Sequence, residues 1–313
     1  AGELLATDTI VDNNHGVNDA GGIYNTGTLH LLTSTVSGNS GYYGSGILNS
    51  GTLTVTESTV RANTASNNLP GGGAFNLGRM TVQNSAFLSN TGGNGGGISN
   101  GGTLIVTGAT FGFNSSGDFG GGGIFNSGTT VVESSTFYSN TAGGGSAIGN
   151  IGTLTITHST IATSVRFGVN GFGGGIYNHN SGALYLRNSL AANSAGGADC
   201  VNNGTIVENI NSLMADGSCG AAFSGEALLG DLGEYGGDTQ TVPLLPGSPA
   251  IDAGDVGTCL TTDQRGVDRV GTCDIGAFES QGFILAKGTG DGQSTPWGMA
   301  FDEPITVAVS SAF

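Results

Sequence analysis

Positive charge is scarce in this sequence: 7 Lys and Arg stand against 23 Asp and Glu in 313 residues, for a formal charge of −16. So few cations cannot neutralise a phosphate backbone or an acidic bilayer, which excludes nucleic acid and anionic membrane surfaces as main partners. Long apolar runs are missing as well. Nothing approaches the roughly 18 consecutive apolar residues of a membrane span, and no span is expected. The opening residues carry no charged-then-apolar leader, so any signal peptide is expected to have been removed or never to have been present. Cysteine is absent from the first 199 residues. The four that follow, Cys200, Cys219, Cys259 and Cys273, are even in number and fit an oxidising compartment. They allow three pairings, of which Cys200 with Cys219 and Cys259 with Cys273 is the most local. With no CxxC spacing and no histidine after His179, zinc has little support.

Glycine is in excess, with 61 residues, while only 10% of the chain is charged and 37% is hydrophobic. That is neither an ordinary globular composition nor a disordered one. It calls for a search for repeats. An asparagine after a glycine-rich run recurs at Asn25, Asn49, Asn76, Asn100, Asn126, Asn150 and Asn178, at intervals of 24 to 28 residues. A second stands 14 residues later at Asn39, Asn63, Asn90, Asn114 and Asn140, with Ser164 in the place after Asn150. Up to Asn178 the length variation lies between the second asparagine and the next first one, so one corner of the unit tolerates insertions.

Apolar residues hold fixed offsets from the first asparagine. Ile23, Ile47, Ala74 and Ile98 precede it by two; Leu29, Leu53, Met80 and Leu104 follow by four, and Leu31, Val55, Val82 and Val106 by six. Val36, Val60, Phe87 and Phe111 follow by eleven. Offsets four and six share a face only in a strand. Each unit therefore reads as three short strands joined by corners, and it must stack on copies of itself to bury its apolar face. The expected fold is all-β: a single-stranded, right-handed parallel β-helix of about eight coils and a rod of roughly 40 Å. Glycine permits the corners, and the asparagines are expected to form hydrogen-bonded ladders between coils. The division expected is a repeat region over 1–199, disulfide-stapled final coils and a C-terminal cap over 200–282, and an extended tail over 283–313.

The segments GGGAF, GGGIS and GGGIF, paired with FLSN, FGFN and FYSN, resemble the glycine-rich and Phe-x-x-Asn repeats of bacterial surface proteins of the polymorphic outer-membrane-protein type. The match covers roughly residues 20 to 195. It implies an extracellular, adhesin-like or passenger β-helix displayed at a surface. PLLPGSPAIDAGD and TDQRGVDRVGTCDIGAFES resemble the closing segment that follows such repeats in large secreted bacterial proteins, with two local disulfides as staples. There Asp252, Asp263, Arg265 and Asp274 are expected to make turn caps and salt bridges, with calcium as a competing reading. The last residues resemble the opening strands of a bacterial immunoglobulin-like module. Phe301, Ile305, Val307 and Val309 make an assembly strand expected to pair either with this β-helix or with another copy.

The glycine runs contain GxGxxG matches, but no helix follows them, which dismisses a dinucleotide site. Parallel β-helices include polysaccharide lyases and hydrolases, which cluster carboxylates on adjacent coils. Here Asp8, Asp12, Asp19, Glu57, Asp118 and Glu133 share no outward offset in neighbouring coils. His15, His30 and His158 read as solvated surface histidines rather than members of a triad. A row of Tyr24, Leu48, Phe75, Phe125 and Tyr177 either points outward as a contact surface for sugar or protein or is covered by the neighbouring insertions. A threonine face, Thr28, Thr52, Thr103, Thr129 and Thr153, has the flatness of an ice-binding array, but Arg79, His30 and Glu133 interrupt it, and β-propensity accounts for it.

The expectation is a secreted, non-enzymatic bacterial structural protein without a cofactor or metal. It is expected to assemble head to tail with its own copies into a surface filament, through an uncapped first coil and the terminal strand. The alternative is an adhesin that binds glycans or a host-surface ligand.

Overall fold

The computed structural model describes residues 2–17, 19–66, 69–117, 120–166 and 173–311. The chain is a parallel β-solenoid. Its first sheet stacks nine five- or six-residue strands, from Glu3–Thr7 to Thr205–Ile210. A second holds eight three-residue strands, from Ile23–Asn25 to Cys200–Asn202, each ending in an asparagine. A third of nine short strands runs from Ile10–Asp12 to Leu213–Met214. Neighbours pair in parallel at equivalent repeat positions, as in Leu29↔Leu53 and Val36↔Val60.

The unit holds one strand more than expected. Two-residue strands, Ser40–Gly41, Thr64–Ala65 and their equivalents through Val165–Arg166, form a fourth sheet of six strands. They carry no apolar alternation, since they are only two residues long and, where one member is buried, it is glycine, alanine or, at Ser116, serine, so periodicity could not reveal them. The expected core positions are buried. Ile47, Val55, Val60, Met80 and Leu104 expose no more than 1% of their surface, and Phe87, Phe111 and Phe137 stack with centroids 5.2 and 4.8 Å apart. Between the first and third sheets the chain turns through a residue with positive φ, including non-glycine residues Thr33, Glu57, Asn84, Ser134, His158, Asn188 and Asn211, all between 41° and 47°.

Both asparagine ladders form. In the first, each Nδ2 donates to the Oδ1 of the next coil at 2.7 to 3.0 Å, from Asn25 to Asn49 and on to Asn178, which donates to Asn202. In the second, both backbone N and Nδ2 of Asn39, Asn63, Asn90 and Asn114 donate to the Oδ1 of the following asparagine at 3.0 to 3.1 Å. That ladder breaks at Ser164, whose buried Oγ has no hydrogen-bond partner among the described residues.

The break has a local cause. A Cβ placed on Gly22, Gly46 or Gly73 would lie 3.0 to 3.1 Å from the amide of Asn39, Asn63 or Asn90 respectively. At the equivalent place before Ser164 stands Ala147, so the methyl group occupies room that an amide would need. Ala147 and Ser164 are therefore expected to be coupled. Ser164→Asn and Ala147→Gly should each destabilise alone, while the double variant extends the ladder and recovers about 1–2 kcal/mol of coupling in a denaturant double-mutant cycle. Additive single effects would disprove the coupling.

The repeat stacks through Met214. Residues 215–223 then turn across the open end of the core. Cys219 and Ala221 pack against it, and Cys200–Cys219 ties the turn to the last coil. The stretch 226–280 then returns along the side of the rod, over the outward face of the third sheet. Near the last coils it forms a small core of its own, with Ala227, Leu244, Ala250 and Ile275 against Leu190, Ala192 and Leu213.

Candidate functional site

The seam between this returning strap and the solenoid is where polar and charged side chains converge. From Asn84 onward, side chains of the positive-φ corner residues point out of the coil toward the strap. Asn84 Nδ2 donates to Asp238 Oδ2 at 2.7 Å, and Asn211 Nδ2 to the Ala253 carbonyl at 3.2 Å. Asn188 accepts from the Asp255 amide at 2.7 Å and donates to Thr258 Oγ1 at 3.0 Å. The outward threonines of the third sheet add a second row. Thr110 Oγ1 donates to the Gln240 carbonyl, Thr136 Oγ1 meets Thr241 Oγ1 at 3.0 Å, and Thr160 Oγ1 accepts the Ala277 amide at 2.9 Å. Thr110, Thr136 and Thr160, strand positions that look solvent-facing in the repeat, are all buried. Gln264 completes the row by donating to Thr239 Oγ1 and the Gln240 carbonyl, both at 2.9 Å. No sequence reasoning singled out Asn188, Gln264 or these threonines, because their partners lie in a segment without periodicity.

Inside the strap the charges neutralise one another. Asp263 holds the buried Arg265 at 2.7 Å, and the guanidinium lies 3.6 Å from the Phe278 ring centroid. Arg269 pairs with Glu279 at 2.9 Å. The Asp274 carboxylate accepts the amides of Asp252 and Ser280 at 2.7 and 2.6 Å, yet burial pushes its pKa up to about 6. The turn-capping and salt-bridging roles expected of Asp263, Arg265 and Asp274 are present. Beside this network, a cleft of about 370 Å³ opens between strap and rod, with Glu133, Asp238 and Thr262 on its walls.

His158 departs from its reading as a solvated histidine. It is fully buried at a positive-φ corner, under the strap. Its Nε2 lies 3.0 Å from Asn188 Nδ2 and 3.8 Å from Cys273 Sγ. Burial, reinforced by the Arg269 cation, lowers its pKa to about 3, so the ring is neutral at ordinary pH. Cys273 is bonded to Cys259, and with Cys200–Cys219 this is the most local of the three pairings.

The apolar row does not form an open surface. Its members stand in register along one sheet, with Ser99 and Gly149 in the coils between Phe75, Phe125 and Tyr177, but Leu48 and Tyr177 are buried and Phe75 and Phe125 half-buried, leaving Tyr24 as the open member at 57% exposure. The insertion corner covers it: Tyr43 approaches Phe75 with centroids 6.2 Å apart. Tyr177 Oη also accepts Asn203 Nδ2 at 2.9 Å.

The terminal strand pairs within the tail itself and not with the β-helix. Val307–Ser311 forms an antiparallel hairpin with Phe283–Lys287, placing Leu285 opposite Val309 and Lys287 opposite Val307. Ile305, Val307 and Leu285 are more than half exposed, and Phe301 and Val309 nearly so. Of the carboxylates weighed for catalysis, Asp118 lies outside the described residues. No helix among the described residues is long and apolar enough to cross a membrane.

No protein-family model matches the chain, and no curated protein does. Among solved structures, the chain is similar to the crystal structure of pectate lyase Pel9A, at 13% identity and a TM-score of 0.46, over 84% of this chain and 69% of the other.

Proposed function

We propose that this chain is a non-enzymatic, extracellular β-helical rod of a bacterial surface protein, and that it associates with its own copies through the tail. One observation carries the reading: the hairpin of Phe283–Lys287 and Val307–Ser311 is an isolated pair of strands with apolar side chains exposed along it. A two-stranded hairpin alone is marginal in water and gains stability from a further strand or an apolar surface. A tail that docks on a different surface of the next copy makes a heterologous contact, which propagates into filaments. Both disulfides suit an oxidising, extracellular setting.

Sedimentation and negative-stain microscopy of the full chain test this. Concentration-dependent, elongated assemblies are expected, and they should disappear on deleting residues 283–313 and in Val307→Lys/Val309→Lys. A monodisperse monomer at high concentration would sink the proposal. The adhesin reading now rests on Tyr24, which borders a cleft of about 380 Å³ with Glu3 and Thr26. Binding on a glycan array that is lost in Tyr24→Ala and kept without the tail would favour it instead.

A further inference from the structure

We propose that reduction of the Cys259–Cys273 bond turns the pocket beneath the strap into a binding site for a thiophilic divalent cation of the zinc type, with His158, Cys259 and Cys273 as its protein ligands. The ring nitrogen and the two sulfur atoms all lie within 4.8 Å of one another. Three such ligands with a fourth, open position form an established zinc arrangement.

The orientation of the imidazole is already that of a ligand. The Oδ1 of Asn188 accepts the Asp255 amide at 2.7 Å, which fixes the side-chain amide so that Nδ2 faces His158. An amide nitrogen only donates, so Nε2 must be the acceptor, with its lone pair directed to the side where Cys273 Sγ stands 3.8 Å away. A metal would take over the lone pair that Asn188 now occupies. His158 and Cys273 are 0 and 1% exposed, whereas Cys259 is half-buried and gives a reductant its approach. His158 also breaks the rule of its corner, where the other coils place Asp, Thr, Glu, Asn, Gly or Ser. A bulky ring in a left-handed conformation carries a steric cost. The coil that bears it is the one that faces the disulfide.

The redox step balances with an external phosphine. Water and the phosphine give a phosphine oxide, two electrons break the S–S bond, and each sulfur leaves with one proton. The cation then displaces both thiol protons and binds the neutral imidazole.

The test uses the full chain and Co²⁺ as a spectroscopic probe. After phosphine reduction, one equivalent of cobalt should bind with a thiolate-to-cobalt charge-transfer absorption, and the oxidised chain should show none. The absorption should persist in Cys200→Ser/Cys219→Ser and be lost in Cys273→Ser. His158→Gln should weaken binding by more than about tenfold, since loss even of a ligand's outer partner costs that much. Melting of the reduced chain offers a second readout, in which Zn²⁺ should raise the melting temperature of wild type by more than that of His158→Gln. Absence of the charge-transfer band in the reduced chain, or equal cobalt affinity with and without His158, would overturn the assignment.

Discussion

Asn90→Ala is expected to cost roughly 3–6 kcal/mol, among the largest losses from a single side chain in this fold. Asn90 is fully buried. Its Oδ1 accepts both the backbone N and the Nδ2 of Asn63, at 3.1 and 3.0 Å, while its Nδ2 donates to the Val60 carbonyl and to Asn114 Oδ1, at 2.9 and 3.0 Å. Alanine leaves the Asn63 amide and the Val60 carbonyl without these partners in a site water cannot reach, and each orphaned group costs about 1–3 kcal/mol. Asn90→Asp should be no milder at neutral pH. It keeps the acceptor but turns a carboxylate oxygen toward the Val60 carbonyl and Asn114 Oδ1. Thr54→Ala, on the half-buried outer face of the same coils, should stay within about 0.5 kcal/mol. Equilibrium urea unfolding compares the three directly, and near-equal midpoints for Asn90→Ala and Thr54→Ala would show that the ladder does not stabilise the rod.

The second large effect is an acid sensitivity that one residue imposes. His158 is held near pKa 3 in the fold against 6.5 when free, so between those values the unfolded chain binds a proton that the folded chain does not. Stability from this group is fully present above pH 6.5 and is lost as the pH falls toward 3, at about 1.4 kcal/mol per unit and roughly 5 kcal/mol in all. Asp274 acts in the opposite direction. Its pKa is raised to about 6 from 3.8, so its contribution is present below 3.8 and is lost as the pH rises through 6. Between about pH 4 and 6 the two slopes oppose each other in wild type. The difference between wild type and His158→Gln isolates the histidine. Glutamine can still accept from Asn188 but has no proton to gain, so the wild type's relative stability should decline steadily from pH 6.5 to 3. A difference independent of pH would contradict the buried, neutral imidazole.

The solenoid was legible because its physics is local and repeated. Leu53 and Val55, two residues apart and both apolar, announce a strand, and a spacing that recurs after each Gly–Asn corner announces the stack. Asn49 and Asn63 mark their corners because a repeated amide can satisfy its own copies. Thr64–Ala65 was hidden because a two-residue strand has no periodicity to display. The fate of Leu48 and Tyr177 depended on how the insertion corner folds over them, and no offset within the repeat encodes that. The strap was the least legible part. Its grip on Thr110, Thr136, Asn188 and Asn211 uses backbone amides and carbonyls as often as side chains, so two segments with ordinary sequences recognise each other without a pattern in either. His158 followed from that omission: a lone histidine on a corner reads as solvated until something is known to lie over it.

A solenoid usually behaves as a one-dimensional array in which each coil senses only its neighbours, so that ends fray and the middle opens piecemeal. The strap alters this behaviour from Asn84 to Asn211. By joining Asn84 to Asp238 and Asn211 to Ala253 within one continuous segment, it couples coils that do not touch. A defect in any of them must then be resolved by all, while the coils before Asn84 keep the nearest-neighbour statistics of an ordinary repeat. One rod thus holds two mechanical regimes: a leading part that yields coil by coil, and a strapped part that holds or fails as a block.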